Sequence, residues 1–137
     1  MIGLYILAAA GFLLSLYSYF IDKKVAANKK YKAACDIADN MSCTDAAKSK
    51  YAAVGGVLNS VKGMIFYPLL AFLTFLGFSS LVFFLAVGSV LMTFYLAYAS
   101  YIKLKNYCLI CTSIYLVNLA IFLASYSWHF LGACGWC

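Results

Sequence analysis

Charge divides the chain into alternating apolar and polar segments. Ile2 to Ile21 is 20 consecutive residues without Asp, Glu, Lys or Arg. At 1.5 Å per residue, a helix of that length spans the ~30 Å hydrocarbon core of a bilayer. Asp22 to Lys62 then carries all four Asp and eight of the ten Lys, and reads as an aqueous loop. Gly63 to Ile102 is a further 40 uncharged residues, too long for one crossing and suited to two. Gly77-Phe78-Ser79-Ser80 holds the strongest turn formers of that run and is the expected break. Lys103 and Lys105 mark a short second loop, and no charge occurs from Asn106 onward. The pattern predicts membrane-spanning helices at about 2–21, 63–78, 80–102 and 106–130. Pro68 falls in the first turns of the second of these, where a missing N–H costs least.

Four helices with short connections form an antiparallel bundle. The expected fold is therefore all-α: an integral membrane four-helix transmembrane bundle with a polar loop bearing a cysteine pair, residues 1–137 forming a single domain. Composition narrows the class further. The chain is 66% hydrophobic and 10% charged, with no Arg and no Glu, whereas soluble domains carry roughly a quarter charged residues. The first apolar run has no basic region before it and no cleavage site after it, so it reads as a retained span rather than a signal peptide.

Counting crossings sorts the six cysteines. Helix two leaves the loop side, helix three returns to it and helix four starts from it. Cys35 and Cys43 therefore share one side of the membrane with Cys108 and Cys111. Cys134 is 26 residues beyond Cys108, roughly 39 Å along a helix, so Cys134 and Cys137 fall on the opposite side, outside any relay of the other four. Their C-x-x-C, with no further Cys or His nearby, is too weak for a zinc assignment. His129 receives no role.

The spacing Cys108-Leu109-Ile110-Cys111 puts two sulfurs on the same face of a helix. A helix N-terminus favours thiolate over thiol, because its free N–H groups carry partial positive charge. Such a pair at the edge of the hydrocarbon can take electrons from a water-soluble disulfide system and pass them to a lipid-soluble carrier. Plainer readings stand beside this one. Cys35 and Cys43 also fit a structural disulfide, Cys108 and Cys111 fit inert buried thiols, and Asn59-Ser60 fits a helix N-cap. Phe66 and Tyr67 fit packing, and the loop lysines fit a solvated surface facing lipid headgroups.

Three motifs in order resemble the vitamin K epoxide reductase family: the C-x7-C pair Cys35 and Cys43 after helix one, the run Asn59-Ser60-Val61-Lys62-Gly63-Met64-Ile65-Phe66-Tyr67 entering helix two, and Cys108-x-x-Cys111 with Tyr115 four residues on. The resemblance covers about Ser15 to Leu123, and the short stretch between Cys43 and Asn59 is similar to prokaryotic members. It implies a thiol–quinone oxidoreductase supporting disulfide bond formation. Cys35 would exchange with a thioredoxin-like partner, Cys43 would carry electrons to Cys108, and Cys111 would face the quinone, of menaquinone, phylloquinone or ubiquinone type. Asn59 and Tyr115 would donate hydrogen bonds to the quinone oxygens, and Phe66 and Tyr67 would wall the pocket. No metal and no nucleic acid is expected.

Other classes make different demands. Reduction of vitamin K, as quinone or epoxide, uses the same residues. A non-enzymatic tetraspan protein needs only a structural loop disulfide. A small proton-coupled exporter needs a membrane-embedded acid, and none lies in the expected spans. Another disulfide-forming quinone reductase family has its two cysteine pairs in the reverse order. All ten Lys lie on the loop side, which the positive-inside rule would make cytoplasmic. Disulfide chemistry points the other way. With the resemblance, it favours a prokaryotic plasma membrane with the cysteine loop on the extracytoplasmic side.

Overall fold

The computed structural model describes residues 2–132; Cys134 and Cys137 lie outside the described residues. The first apolar run forms α1 (Ile2–Ala27), which continues through Asp22, Lys23 and Lys24 rather than stopping at Ile21. Asp22 is accommodated because Ser60 Oγ donates to its carboxylate at 2.6 Å. The apolar helix therefore runs six residues beyond the expected span of 2–21 and carries Asp22 just past its end.

A short helix, α2 (Cys43–Lys48), follows, capped by Ser42, whose hydroxyl accepts the Asp45 N–H at 3.1 Å. A two-stranded hairpin, β1 (Ala53–Val54) and β2 (Val57–Leu58), then leads directly into α3 (Asn59–Phe75). Helix α3 starts four residues before the expected span, so Pro68 sits mid-helix rather than in the first turns. The expected break is where the chain turns: α3 ends at Phe75, Gly77 takes φ +80°, and α4 (Ser79–Tyr98) begins. A π-helical turn over Ala99–Lys103 extends α4, and α5 runs Leu109–Leu131.

Among the described residues, three helices are long and apolar enough to cross a membrane: α1, α4 with its π turn, and α5. Helix α3, at 17 residues, is shorter, so three rather than the expected four meet that standard. Helix α1 packs on α3 and α5, and α4 packs on α5 and α3, so the four close into a ring. Leu4, Ala8, Tyr67, Leu70, Val82, Ala86, Ile121 and Ala124 are buried at its centre. Small residues permit the close approach: a Cβ on Gly11 would collide with the ring of Tyr67. The outward surface is apolar as well, with Phe75 77% exposed and Phe84, Phe94, Leu116 and Leu123 also exposed. An exterior this apolar suits lipid as the surrounding solvent.

The segment between α1 and α3 folds against the start of α5. Ile21 and Val25 of α1, Ala33, Cys35, Cys43, Cys108 and Ile110 form a second buried cluster, with Cys111 and Ile114 packed against it. Asp36 organises this segment. Its carboxylate accepts from the Thr44 hydroxyl at 2.6 Å, the Ser42 hydroxyl at 3.1 Å and the N–H groups of Thr44 and Ala33 at 3.2 and 3.3 Å.

Candidate functional site

Four cysteines meet where the loop segment covers the N-terminus of α5. Cys35 and Cys43 are joined by a disulfide, with Cα atoms 6.0 Å apart, and both are buried. Cys108 and Cys111 are free thiols. Cys108 does more than begin α5, because it is the capping residue: its sulfur accepts the Cys111 N–H at 3.4 Å. Cys108 precedes the apolar helix and is held below the ordinary thiol range. The hydrogen bond from the Cys111 thiol outweighs burial, and the N–H groups of Cys111 and Ile110 act with it. A thiol so placed is the better nucleophile of the pair at neutral pH.

Inside the ring, beside these sulfurs, lies a mainly apolar cavity of about 410 Å³. Its volume falls in the range of small-molecule sites. Cys43, Cys108 and Cys111 line it together with Asn59, Phe66, Tyr67 and Tyr115. Of the eight residues singled out from sequence, only Cys35 stands outside the lining, joined to it through Cys43.

Three of the lining residues have local roles that sequence left open. Leu58, not Asn59, occupies the cap position of α3, and it makes no side-chain cap bond. Asn59 instead turns its Nδ2 to the Tyr51 carbonyl at 2.7 Å, while its Oδ1 is buried without a hydrogen-bond partner. Phe66 meets Tyr67 edge-on at 5.2 Å between ring centres. Tyr67 is buried, and its hydroxyl donates to Asn118 Oδ1 at 2.8 Å; Asn118 Nδ2 in turn donates to Thr93 Oγ1 at 2.9 Å.

Asp22, Ser60, Lys62, Thr93 and Asn118 line the same cavity and were not anticipated. Asn118 had a signal, since 111, 115 and 118 recur at helical spacing on one face of α5. Lys62 directs its ammonium to the Val54 carbonyl, so this charge is fixed at the hairpin. Cys35, Asp36 and Cys43 bring their polar atoms within 4.8 Å of one another. Both sulfurs are spent in the disulfide, however, and the Asp36 oxygens are already taken by hydrogen bonds, so the cluster offers a metal no free thiolate in this state.

Residues 2–126 match the vitamin K epoxide reductase family. The chain belongs to this family. The match extends over more of the chain than the motifs alone cover. Among individual relatives, the chain is 29% identical to vitamin K epoxide reductase complex subunit 1 of Rattus norvegicus and 28% identical to that of Mus musculus; in each comparison 88% of this chain and 84% of the relative are covered. Family membership makes the protein an oxidoreductase, and its three long apolar helices make it a multi-pass membrane protein.

Proposed function

We propose that this protein is a membrane thiol–quinone oxidoreductase that supports disulfide bond formation. The supporting observation is the shared cavity: the Cys108–Cys111 pair and Cys43 line one mainly apolar chamber of about 410 Å³. A thioredoxin-like partner, arriving as a dithiol, reduces the Cys35–Cys43 disulfide by exchange at Cys35. The resulting loop dithiol reduces a Cys108–Cys111 disulfide through Cys43. The Cys108–Cys111 dithiol then gives two electrons and two protons to a quinone, leaving a disulfide and a quinol. A bridged loop pair beside two free thiols corresponds to the stage after internal transfer and before quinone reduction.

Cys111, one turn into α5, faces the quinone; Tyr115 donates to a quinone oxygen as negative charge develops, and Asn59, whose unpartnered atom is the acceptor Oδ1, takes the hydroxyl of the quinol formed. Phe66 and Tyr67 wall the ring. Helix α3 serves as a fourth crossing, since 17 residues is at the short end of what spans a bilayer. The cysteine loop faces the extracytoplasmic side of a prokaryotic plasma membrane, where thiol pairs persist oxidised.

A second reading has its own support: the mammalian relatives are named for vitamin K epoxide reduction. Purified protein in lipid nanodiscs, reduced with a small dithiol, separates the two when offered a naphthoquinone, a ubiquinone analogue or vitamin K epoxide. Quinol formation with either quinone, lost in Cys111→Ser, is the expected result. Turnover of the epoxide alone would move the assignment to the second reading. Quinol formation no faster than with the dithiol alone, and unchanged in Cys111→Ser, would return the chain to a non-enzymatic tetraspan protein with a structural disulfide.

A further inference from the structure

Ser42 immediately precedes Cys43, and Asn106 lies two residues before Cys108. The side chain of Asn106 makes both of the hydrogen bonds that a carboxamide can exchange with one residue of backbone. Its Nδ2 donates to the Ser42 carbonyl at 2.7 Å, and its Oδ1 accepts the Ser42 N–H at 3.0 Å. Both residues are buried, each at 8% exposure. The Tyr107 N–H adds a third bond, to the Asn40 carbonyl at 2.8 Å, while the Asn106 N–H is anchored on the Ser100 carbonyl at 3.1 Å. Ser42 is thus gripped twice, through its backbone by Asn106 and through its hydroxyl by Asp36. None of these bonds involves a cysteine.

We infer that Asn106 is a positioning residue for thiol transfer, clamping the backbone beside Cys43 to the backbone beside Cys108. The inference rests on the relay described under the proposed function. In that relay the Cys43 thiolate attacks Cys108 Sγ, the Cys108–Cys111 bond breaks, and Cys111 leaves as thiolate. Cys35 thiolate then attacks Cys43 Sγ, restoring the loop disulfide and releasing Cys108. Two electrons move to the Cys108–Cys111 pair, and the protons given up by the loop thiols return to the thiolates released. Each step needs two sulfurs held in line, and its rate scales with their effective concentration. A carboxamide suits the clamp because it supplies one donor and one acceptor and does not titrate. Asp is the same size but supplies no donor to the Ser42 carbonyl when ionised.

The test is the double variant Cys35→Ser/Cys111→Ser, in which a Cys43–Cys108 bridge forms in a glutathione redox buffer and is assigned by mass mapping. Its equilibrium constant reports the effective concentration of the two thiols. Adding Asn106→Ala should lower that concentration at least about tenfold, the scale of effect that small misplacements have on reacting groups. In the otherwise native protein, the rate driven by a thioredoxin-like dithiol should fall further than the rate driven by a small permeant dithiol that reduces Cys108–Cys111 directly. Asn106→Asp, isosteric with the native residue, gives the same reading if Asn106→Ala does not fold. An unchanged effective concentration would overturn the clamp and leave the relay standing. No bridge with Asn106 intact would remove the relay itself, and the clamp with it.

Discussion

The Tyr67 hydroxyl donates to Asn118 Oδ1 at 2.8 Å, and through Asn118 it reaches Thr93, so α3, α5 and α4 share one chain of polar bonds inside an apolar ring. Interhelical hydrogen bonds in membranes average well under the value of an unsatisfied buried group, because the same polar atoms also find partners when the helices are not packed. Asn118 lines the cavity, which favours the smaller figure. Tyr67→Phe is expected to destabilise the bundle by ~1 kcal/mol. A double-mutant cycle with Asn118→Ala, read by thermal unfolding in detergent, checks it. Strict additivity of the two substitutions would show that the bond contributes nothing.

Tyr67 also depends on a missing side chain. A Cβ at Gly11 would overlap the Tyr67 ring, whereas one at Gly88 would meet nothing within 4 Å. Gly11→Ala must therefore displace a buried aromatic and should cost ~1–3 kcal/mol, as overpacking does. Gly88→Ala, in mid-helix and in open space, should be neutral or stabilising by up to about 1 kcal/mol. Equal midpoints for the two variants would mean that α1 and α3 are not in the close contact described.

Much of this arrangement is legible in the sequence, and the misses have physical causes. Uncharged runs locate the helices, and the parity of crossings brings Cys35, Cys43, Cys108 and Cys111 to one place before any contact is known. Charge is a poor marker of where a helix ends, however. Helix α1 continues past Asp22, because Ser60 satisfies the carboxylate and the lysines that follow can reach out to water. The early start of α3 follows from the hairpin at Val54-Gly55-Gly56-Val57, whose Gly-Gly pair is a recognised turn signal, with both glycines at positive φ. Asn106 gives no signal, because its partners are backbone atoms 64 residues away in the chain. The free acceptor of Asn59 is equally hidden, since it depends on where the Tyr51 carbonyl falls.

Asp36 gives the loop a dependence on acidity. Burial pushes its carboxyl up, but hydrogen bonds from the Thr44 hydroxyl and N–H, the Ser42 hydroxyl and the Cys43 N–H outweigh it and hold it below the ordinary value of 3.8. A folded-state pKa below the unfolded one means that the ionised group stabilises the fold above pH 3.8. That stability is lost as pH falls through the lower, folded value. The thermal midpoint of the native protein should therefore decline below that pH more steeply than the midpoint of Asp36→Asn. Above it, Asp36→Asn should be the less stable of the two. Parallel curves over the whole range would show that the Asp36 network does not hold the loop.

Asn59 and Tyr115 should distinguish the two redox forms of a bound quinone. The Asn59 amide already donates to the Tyr51 carbonyl, and the atom it leaves unpartnered is the acceptor Oδ1. A buried acceptor without a donor is worth about 1–3 kcal/mol when a partner arrives. A quinol brings an O–H to fill that need, whereas an oxidised quinone brings only further acceptors. The Tyr115 phenol has the opposite bias, since it can donate to a quinone carbonyl. Asn59→Ala should therefore weaken quinol binding, read as product inhibition, by roughly fivefold or more, while changing the quinone KM less. Tyr115→Phe should raise the quinone KM and change product inhibition less. Steady-state kinetics in nanodiscs with a small dithiol as reductant measures both constants in each variant. Equal effects on quinone and quinol in both variants would remove the distinction, returning Asn59 to a tie for the Tyr51 carbonyl and Tyr115 to packing.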